Sequence, residues 1–141
     1  MSLDYVEVMN NLHQVEFSET NKNLVDDYFH DTVKSSFITD HEVFYPKGIF
    51  TEKGLECFYF FTKTKIAKVS FSKTINTQIW QHSRILSYEL RLTDRHALQL
   101  EIFLEDGQTL LFDNQKDTNH YREDTLKKKI EEIYKLLEQK Q

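Results

Sequence analysis

Between Leu86 and Phe112 the apolar side chains recur at every second position. Leu86, Tyr88, Leu90 and Leu92 alternate with Ser87, Glu89 and Arg91. After a TDRH turn, Leu98, Leu100, Ile102 and Leu104 alternate with Gln99, Glu101, Phe103 and Glu105. Successive side chains of a strand point to opposite faces, so this period predicts strands with one apolar face. Asp106-Gly107, the strongest two-residue hairpin signal in the chain, leads into a further strand over 109–112. The expected unit is a three-stranded antiparallel meander, and its apolar face needs a cover. A candidate follows at once: Leu126, Ile130, Ile133 and Leu137 fall on one stripe of a helix. Lys127, Lys128, Lys129, Glu131 and Glu132 are expected to face water, and Glu123 and Asp124 suit the positive end of the helix dipole.

Upstream the same period predicts strands over 43–45, 49–50, 55–61, 66–71 and 75–80, separated by PKG, TEKG and TKTK turns. The first forty residues differ. Tyr5, Met9 and Leu12 are spaced for a short helix over 4–13. A second helix is predicted from the stripe Leu24, Val25, Tyr28, Phe29, Val33 and Phe37, with Ser18, Thr20 and Asn21 as candidate N-caps. Antiparallel strands between terminal helices, without βαβ alternation, indicate an α+β fold.

A chain of 141 residues fits one domain and buries enough surface to fold without metals or disulfides. Eleven Phe, seven Tyr and one Trp favour a packed core, and three Gly with one Pro leave no flexible linker. Cys57 has no partner for an internal disulfide and lacks the paired spacing of a structural zinc site. The start, MSLDYVEVMNNLHQ, does not read as a secretory signal, and no apolar run approaches the ~20 residues that span a bilayer. The expected setting is the cytoplasm, without membrane insertion.

Net charge is −5, distributed unevenly. Residues 1–60 hold four Lys/Arg against eleven Asp/Glu, and residues 61–141 hold fourteen against twelve. Nucleic-acid affinity comes mainly from neutralising phosphates, so general nucleic-acid binding is not expected.

"GLECFYFFTKTKIAKVSFSKTINTQI" runs an aromatic strand into a Thr-containing basic turn, then a second strand and an isoleucine-rich third. "LQLEIFLEDGQTLLFDN" and "LKKKIEEIYKLLEQ" add a last hairpin and a closing helix. In that order the chain resembles the pleckstrin-homology-like fold in its bacterial version, over roughly 42–140, and equally a small bacterial family of unassigned function. The resemblance implies a bent antiparallel sheet or partly open barrel of about seven strands, plugged by the C-terminal helix. Residues 1–38 then form an added helical cap on a single domain, 1–141. The resemblance also implies binding of proteins or lipids, with no catalysis and no cofactor. Phosphoinositide binders of this fold carry a dense basic cluster in the first hairpin loop. The matching "YPKGIFTEKGLE" has only Lys47 and Lys53 beside Glu52 and Glu56, so phosphoinositide binding is not expected.

One stretch, "CFYFFTKTKIAKVSFSK", places four lysines among aromatics. Lys63 and Lys65 lie at or beside the hairpin tip, Lys68 shares a face with Ile66 and Ser70, and Lys73 lies past the strand end, so the four do not form one plane. Phe58 and Phe60 oppose Cys57, Tyr59 and Phe61, which predicts a strand covered on both faces. Trp80 has the parity opposite to Ile75 and Ile79. It is either covered, by the N-terminal helices, or exposed to a partner, where tryptophan is enriched at hot spots. His30 with Asp26, Asp27 and Asp31 has a spacing that suits a metal, but an acidic solvated helix face explains it without a missing ligand. No Gly-rich phosphate loop, HExxH, GxSxG or CxxC occurs, and Cys57 in an apolar strand reads as an inert thiol.

These features predict a non-enzymatic, protein-binding interaction domain with Lys63, Lys65 and Trp80 as candidate contact residues, compatible with homo-oligomerisation. The alternative is a small enzyme or ligand carrier whose cone-shaped curved sheet encloses an apolar pocket. A pocket beneath the first two helices distinguishes them.

Overall fold

Every residue of the strand Cys57–Phe61 is buried, and the first sheet is built around it. The computed structural model describes residues 2–17, 22–32 and 36–139, with side-chain burial withheld at 31 and 32. We label the strands β1 (Val43–Lys47), β2 (Cys57–Phe61), β3 (Lys65–Phe71), β4 (Ile75–Gln81), β5 (Ile85–Leu92), β6 (Leu98–Leu104) and β7 (Thr109–Asp113). The helices are α1 (Tyr5–Asn10), α2 (Lys22–Asp27), α3 (Ser36–Thr39) and α4 (Glu123–Glu138). All pairing is antiparallel, in a four-stranded sheet β1-β2-β3-β4 and a three-stranded sheet β5-β6-β7. Among the described residues the two sheets do not close into a barrel.

The register assigns each residue of β2 to a face. Phe44, Phe60, Ala67 and Ile79 lie across one rung, and Pro46, Phe58, Val69 and Thr77 across another. The N-terminal segments cover this face: the Tyr5 ring meets Phe44 and Phe60 edge-on at 5.5 Å each, Phe29 lies 5.7 Å from Phe58, and Phe37 lies 5.1 Å from Phe60. The opposite face presents Tyr45, Tyr59 and Phe61, whose rings surround Phe112 of β7 at 5.0, 4.8 and 5.6 Å. Phe112 is thus the pin between the sheets. The continuous apolar run predicted a strand covered twice, and it is.

In the second sheet the buried positions alternate, Leu98, Leu100, Ile102 and Leu104 on β6 and Leu110 and Phe112 on β7. α4 packs against β1, β6 and β7 with Leu126, Ile130, Ile133 and Leu137 buried, as the stripe predicts.

Several expectations require correction. No strand forms over 49–50. Gly48 turns at φ +92 and Phe50 at φ +63, which breaks the extended chain. A Cβ at Gly48 would lie 2.7 Å from the Gly54 carbonyl oxygen, so the turn needs glycine. The Asp106-Gly107 hairpin has a three-residue loop: Leu104 donates to the Gln108 carbonyl at 3.0 Å, with Gly107 at φ +89. The second N-terminal helix stops at Asp27, passes through a π turn over Tyr28–Thr32, and helix resumes at Ser36. The π turn shifts the phase of the stripe, leaving Leu24 41% exposed while Val25, Phe29 and Phe37 are buried. Val33 and the candidate caps Ser18, Thr20 and Asn21 lie outside the described residues. Lys129 does not face water. It is buried, with its ammonium 5.8 Å from the Phe44 ring centre and 3.5 Å from the Asp4 carboxylate.

Candidate binding site

The TKT turn between β2 and β3 is locked from within. Buried Thr62 accepts, on its hydroxyl oxygen, the N–H of Thr64 at 3.2 Å and of Lys65 at 2.9 Å, and its own N–H donates to the Lys65 carbonyl at 2.9 Å. These bonds satisfy the turn backbone through one side chain and leave Lys63 projecting outward. The Lys63 ammonium stands 3.8 Å from Glu42, with 77% of its side chain exposed. Lys63 and Lys65 share a cleft of about 480 Å³ with Ser36, Asp40, Glu42, Thr62 and Thr64. Beyond Glu42 and Lys63 a second cleft, of about 350 Å³, runs along α4 past Glu132 and Lys135. Both carry both signs of charge, and the second adds the apolar Val43 and Leu136. An exposed lysine pair hemmed by carboxylates is a poor seat for a polyanion and a workable one for a polypeptide with its own mixed charges.

Lys68 faces the other way, over the Tyr59 ring at 5.9 Å, and Lys73 is exposed beyond β3. The four lysines are not assembled. Trp80 sits one rung from Lys65, opposite Ile66, on the sheet face away from the lysine. It is buried, and the cover is the β6–β7 hairpin: its indole N–H donates to Asp106 Oδ2 at 2.9 Å. That bond, aided by the Gln108 N–H, holds the Asp106 carboxyl below the usual carboxylate range. Ile79, half exposed, is the apolar group open to solvent beside it, in a cleft with Gln81, Arg84 and Glu105. The His82 N–H donates to the Thr64 carbonyl at 2.8 Å, which ties the lysine turn to the β4–β5 junction. Lys63, Lys65 and the Trp80 cleft therefore flank one end of the first sheet without sharing a pocket.

A buried polar knot has no counterpart among the sequence expectations. The Tyr45 hydroxyl donates to Asp117 Oδ2 at 2.7 Å, the Asp113 N–H donates to the same oxygen at 2.9 Å, and the Lys47 ammonium lies 3.6 Å from Asp117 Oδ1. Desolvation raises the Asp117 carboxyl, with Lys47 opposing the shift, and raises the Tyr45 phenol well above its ordinary range. The knot closes the loop after β1. The Gly48 N–H donates to the Asp117 carbonyl at 2.8 Å, and the Thr118 hydroxyl donates to the Ile49 carbonyl at 2.8 Å. On the loop's other side the Leu55 N–H donates to the Glu16 carbonyl at 2.7 Å. The DNQKDTN run signals a turn by its Asp and Asn content, but nothing in it signals burial. Lys47, one of the two lysines in the segment that matches the first hairpin loop, is turned inward onto Asp117.

Burial pushes the Cys57 thiol up to about 12, which suppresses the reactive thiolate. His30 pairs with Asp26 at 3.2 Å on an exposed helix face, and among the described residues no three His, Cys, Asp or Glu side chains converge as metal ligands. The side chain of Asp31 is outside the described set. Among the described residues beneath the N-terminal helices, the rings of Tyr5, Phe29 and Phe37 pack on Phe60 and Phe58 of the sheet. No helix among the described residues is long and apolar enough to cross a membrane. Compared with protein-family models, with curated proteins and with solved structures, the chain matches none.

Proposed function

We propose that the chain is a non-enzymatic, cytoplasmic interaction domain on a pleckstrin-homology-like framework. On this reading it binds a protein partner at the end of the first sheet, across the clefts around Lys63 and Lys65 and beside Trp80. The observation that carries the reading is the order of elements: four antiparallel strands, then three, then one helix packed on both sheets. The mixed charge of the clefts favours a polypeptide over phosphoinositide or duplex nucleic acid, and the tied-down loop after β1 leaves little room for an inositide headgroup. The packing of Phe29 and Phe37 directly on the sheet supports the interaction reading over the carrier with an apolar pocket.

The test compares the wild-type chain with Lys63→Glu/Lys65→Glu as bait in native extract, read by quantitative mass spectrometry and followed by titration of the recovered protein. One partner lost by the variant, with micromolar affinity for the wild type, is expected. Vesicle or duplex-DNA binding at physiological salt that the same variant abolishes overturns the reading.

A further inference from the structure

β5 is the outermost strand of the second sheet, and among the described residues no strand pairs with its far edge. It is eight residues long, ILSYELRL, without lysine, proline or glycine, and its one irregularity, a bulge between Ile85 and Ser87, lies at the end away from Leu90 and Leu92. Leu86 and Leu92 on it are 67% and 61% exposed. From this strand we infer that β5 is a self-association edge, pairing antiparallel with β5 of a second copy of the chain about a two-fold axis at Leu90.

The register follows from three observations. The first is backbone direction. The Thr93 N–H donates to the Ala97 carbonyl at 2.9 Å, and the β5–β6 ladder continues from there through Leu92↔Leu98, Arg91↔Gln99 and Leu90↔Leu100. Inward bonding alternates along an antiparallel strand, so Glu89 and Arg91 turn their backbone groups to β6 while Leu90 and Leu92 turn theirs to the free edge. A two-fold axis at Leu90 sets that residue against itself in a hydrogen-bonded pair; an axis at Glu89 or Arg91 also matches the outward-turned residues, but it sets like charges against each other.

The second is charge. The same axis places Glu89 opposite the partner's Arg91, and Arg91 opposite the partner's Glu89, in the non-hydrogen-bonded pairs where side chains approach most closely. Within one copy Arg91 bridges Glu89 at 3.2 Å and Glu101 at 3.1 Å, so one guanidinium serves two carboxylates. A second guanidinium arriving beside Glu89 completes that cluster. The third is apolar cover. Leu92 falls opposite the partner's Tyr88, whose ring already leans on Tyr134 of α4 at 6.0 Å, and the exposed leucine is thereby covered. β4, the terminal strand of the first sheet on its side, carries Asn76, Thr77 and Gln78 and no charge, so it has no such self-complementary pattern.

The interface is small, one strand pair and its side chains, so association belongs in the micromolar to millimolar range. Sedimentation velocity across that range on the wild-type chain is expected to show a reversible monomer–dimer equilibrium. Glu89→Arg alone sets Arg against Arg twice, and Arg91→Glu alone sets Glu against Glu twice, so each is expected to weaken the dimer about tenfold. An equimolar mixture of the two variants restores opposite pairs at both positions and should dimerise as the wild type does. Leu92→Lys, at an exposed position, keeps the fold and abolishes the dimer. A wild type that stays monomeric into the millimolar range overturns the proposal and leaves the edge to a different partner. A dimer indifferent to Leu92→Lys, or a mixture that fails to recover when both variants melt as the wild type does, overturns it too.

Discussion

β2 in the first sheet is buried at all five positions, while β6 in the second alternates buried and half-buried from Leu98 to Leu104, and β5 beside it has no buried residue. The four-stranded sheet is an inner layer, with aromatic helices on one side and Phe112 on the other. The three-stranded sheet is an outer layer whose single apolar face is covered by α4 as far as β6 and only in part over β5. Both are antiparallel meanders of similar strand length, so hydrogen bonding does not distinguish them. Their difference is the number of apolar faces each strand carries, and an unbroken apolar run forces a second cover where an alternating one does not. The N-terminal helices are the consequence of CFYFF.

If α4 is the main cover of the outer layer, polar groups on its buried stripe should be ruinous. Ile130→Asp with Ile133→Asp is expected to erase cooperative melting, since two buried aliphatic losses with buried charges exceed a total stability of roughly 5–15 kcal/mol. A sharp thermal transition in this variant would break the comparison. A smaller effect sharpens it. Phe60→Ala, in the doubly covered strand, should cost about 3–5 kcal/mol by chemical denaturation, whereas Phe103→Ala, on the half-buried outward face of β6, should cost less than about 1 kcal/mol. Equal losses would mean that the outer face of the second sheet is also covered.

Lys129 gives a small effect of opposite sign. Burial lowers its ammonium below the ordinary lysine value, with Asp4 opposing the shift. A lowered folded pKa contributes stability above the unfolded pKa and loses it as pH falls through the folded value. At neutral pH the protonated Lys129 is therefore a net cost. Lys129→Met is expected to raise stability by about 1 kcal/mol at neutral pH. That advantage should shrink as pH climbs toward about 10.4, the unperturbed lysine value. Paired urea titrations at neutral and alkaline pH measure it, and a destabilised variant would show that the Asp4 contact outweighs desolvation.

Local period carried much of this architecture into the sequence. The meander, the closing helix and the double cover of β2 are readable because one rule, every second or every third-to-fourth residue, decides each. The errors fall where a single residue overrides the period. Gly48 and Phe50 at positive φ cancel a strand, and a π turn at Tyr28 rotates Leu24 out of its stripe. Lys129 and Asp117 were legible as charges but not as buried ones, because their partners, Asp4 and Tyr45, are far away in sequence. Lys63 lies in the hairpin turn and Lys65 beside it as the first residue of β3, as the pattern predicts. The carboxylates that share their cleft, Asp40 and Glu42, come from outside the hairpin, and nothing local announced them.

The bond from Trp80 to Asp106 joins the last strand of the inner sheet to the hairpin of the outer one. Because the chain has one tryptophan, fluorescence excited at wavelengths that its seven tyrosines do not absorb comes from that seam alone. The emission colour is therefore a gauge of how firmly the two layers are docked, separable from the far-ultraviolet signal that reports whether each layer has kept its strands. The molecule carries its own optical label at the joint where loosening would begin to matter.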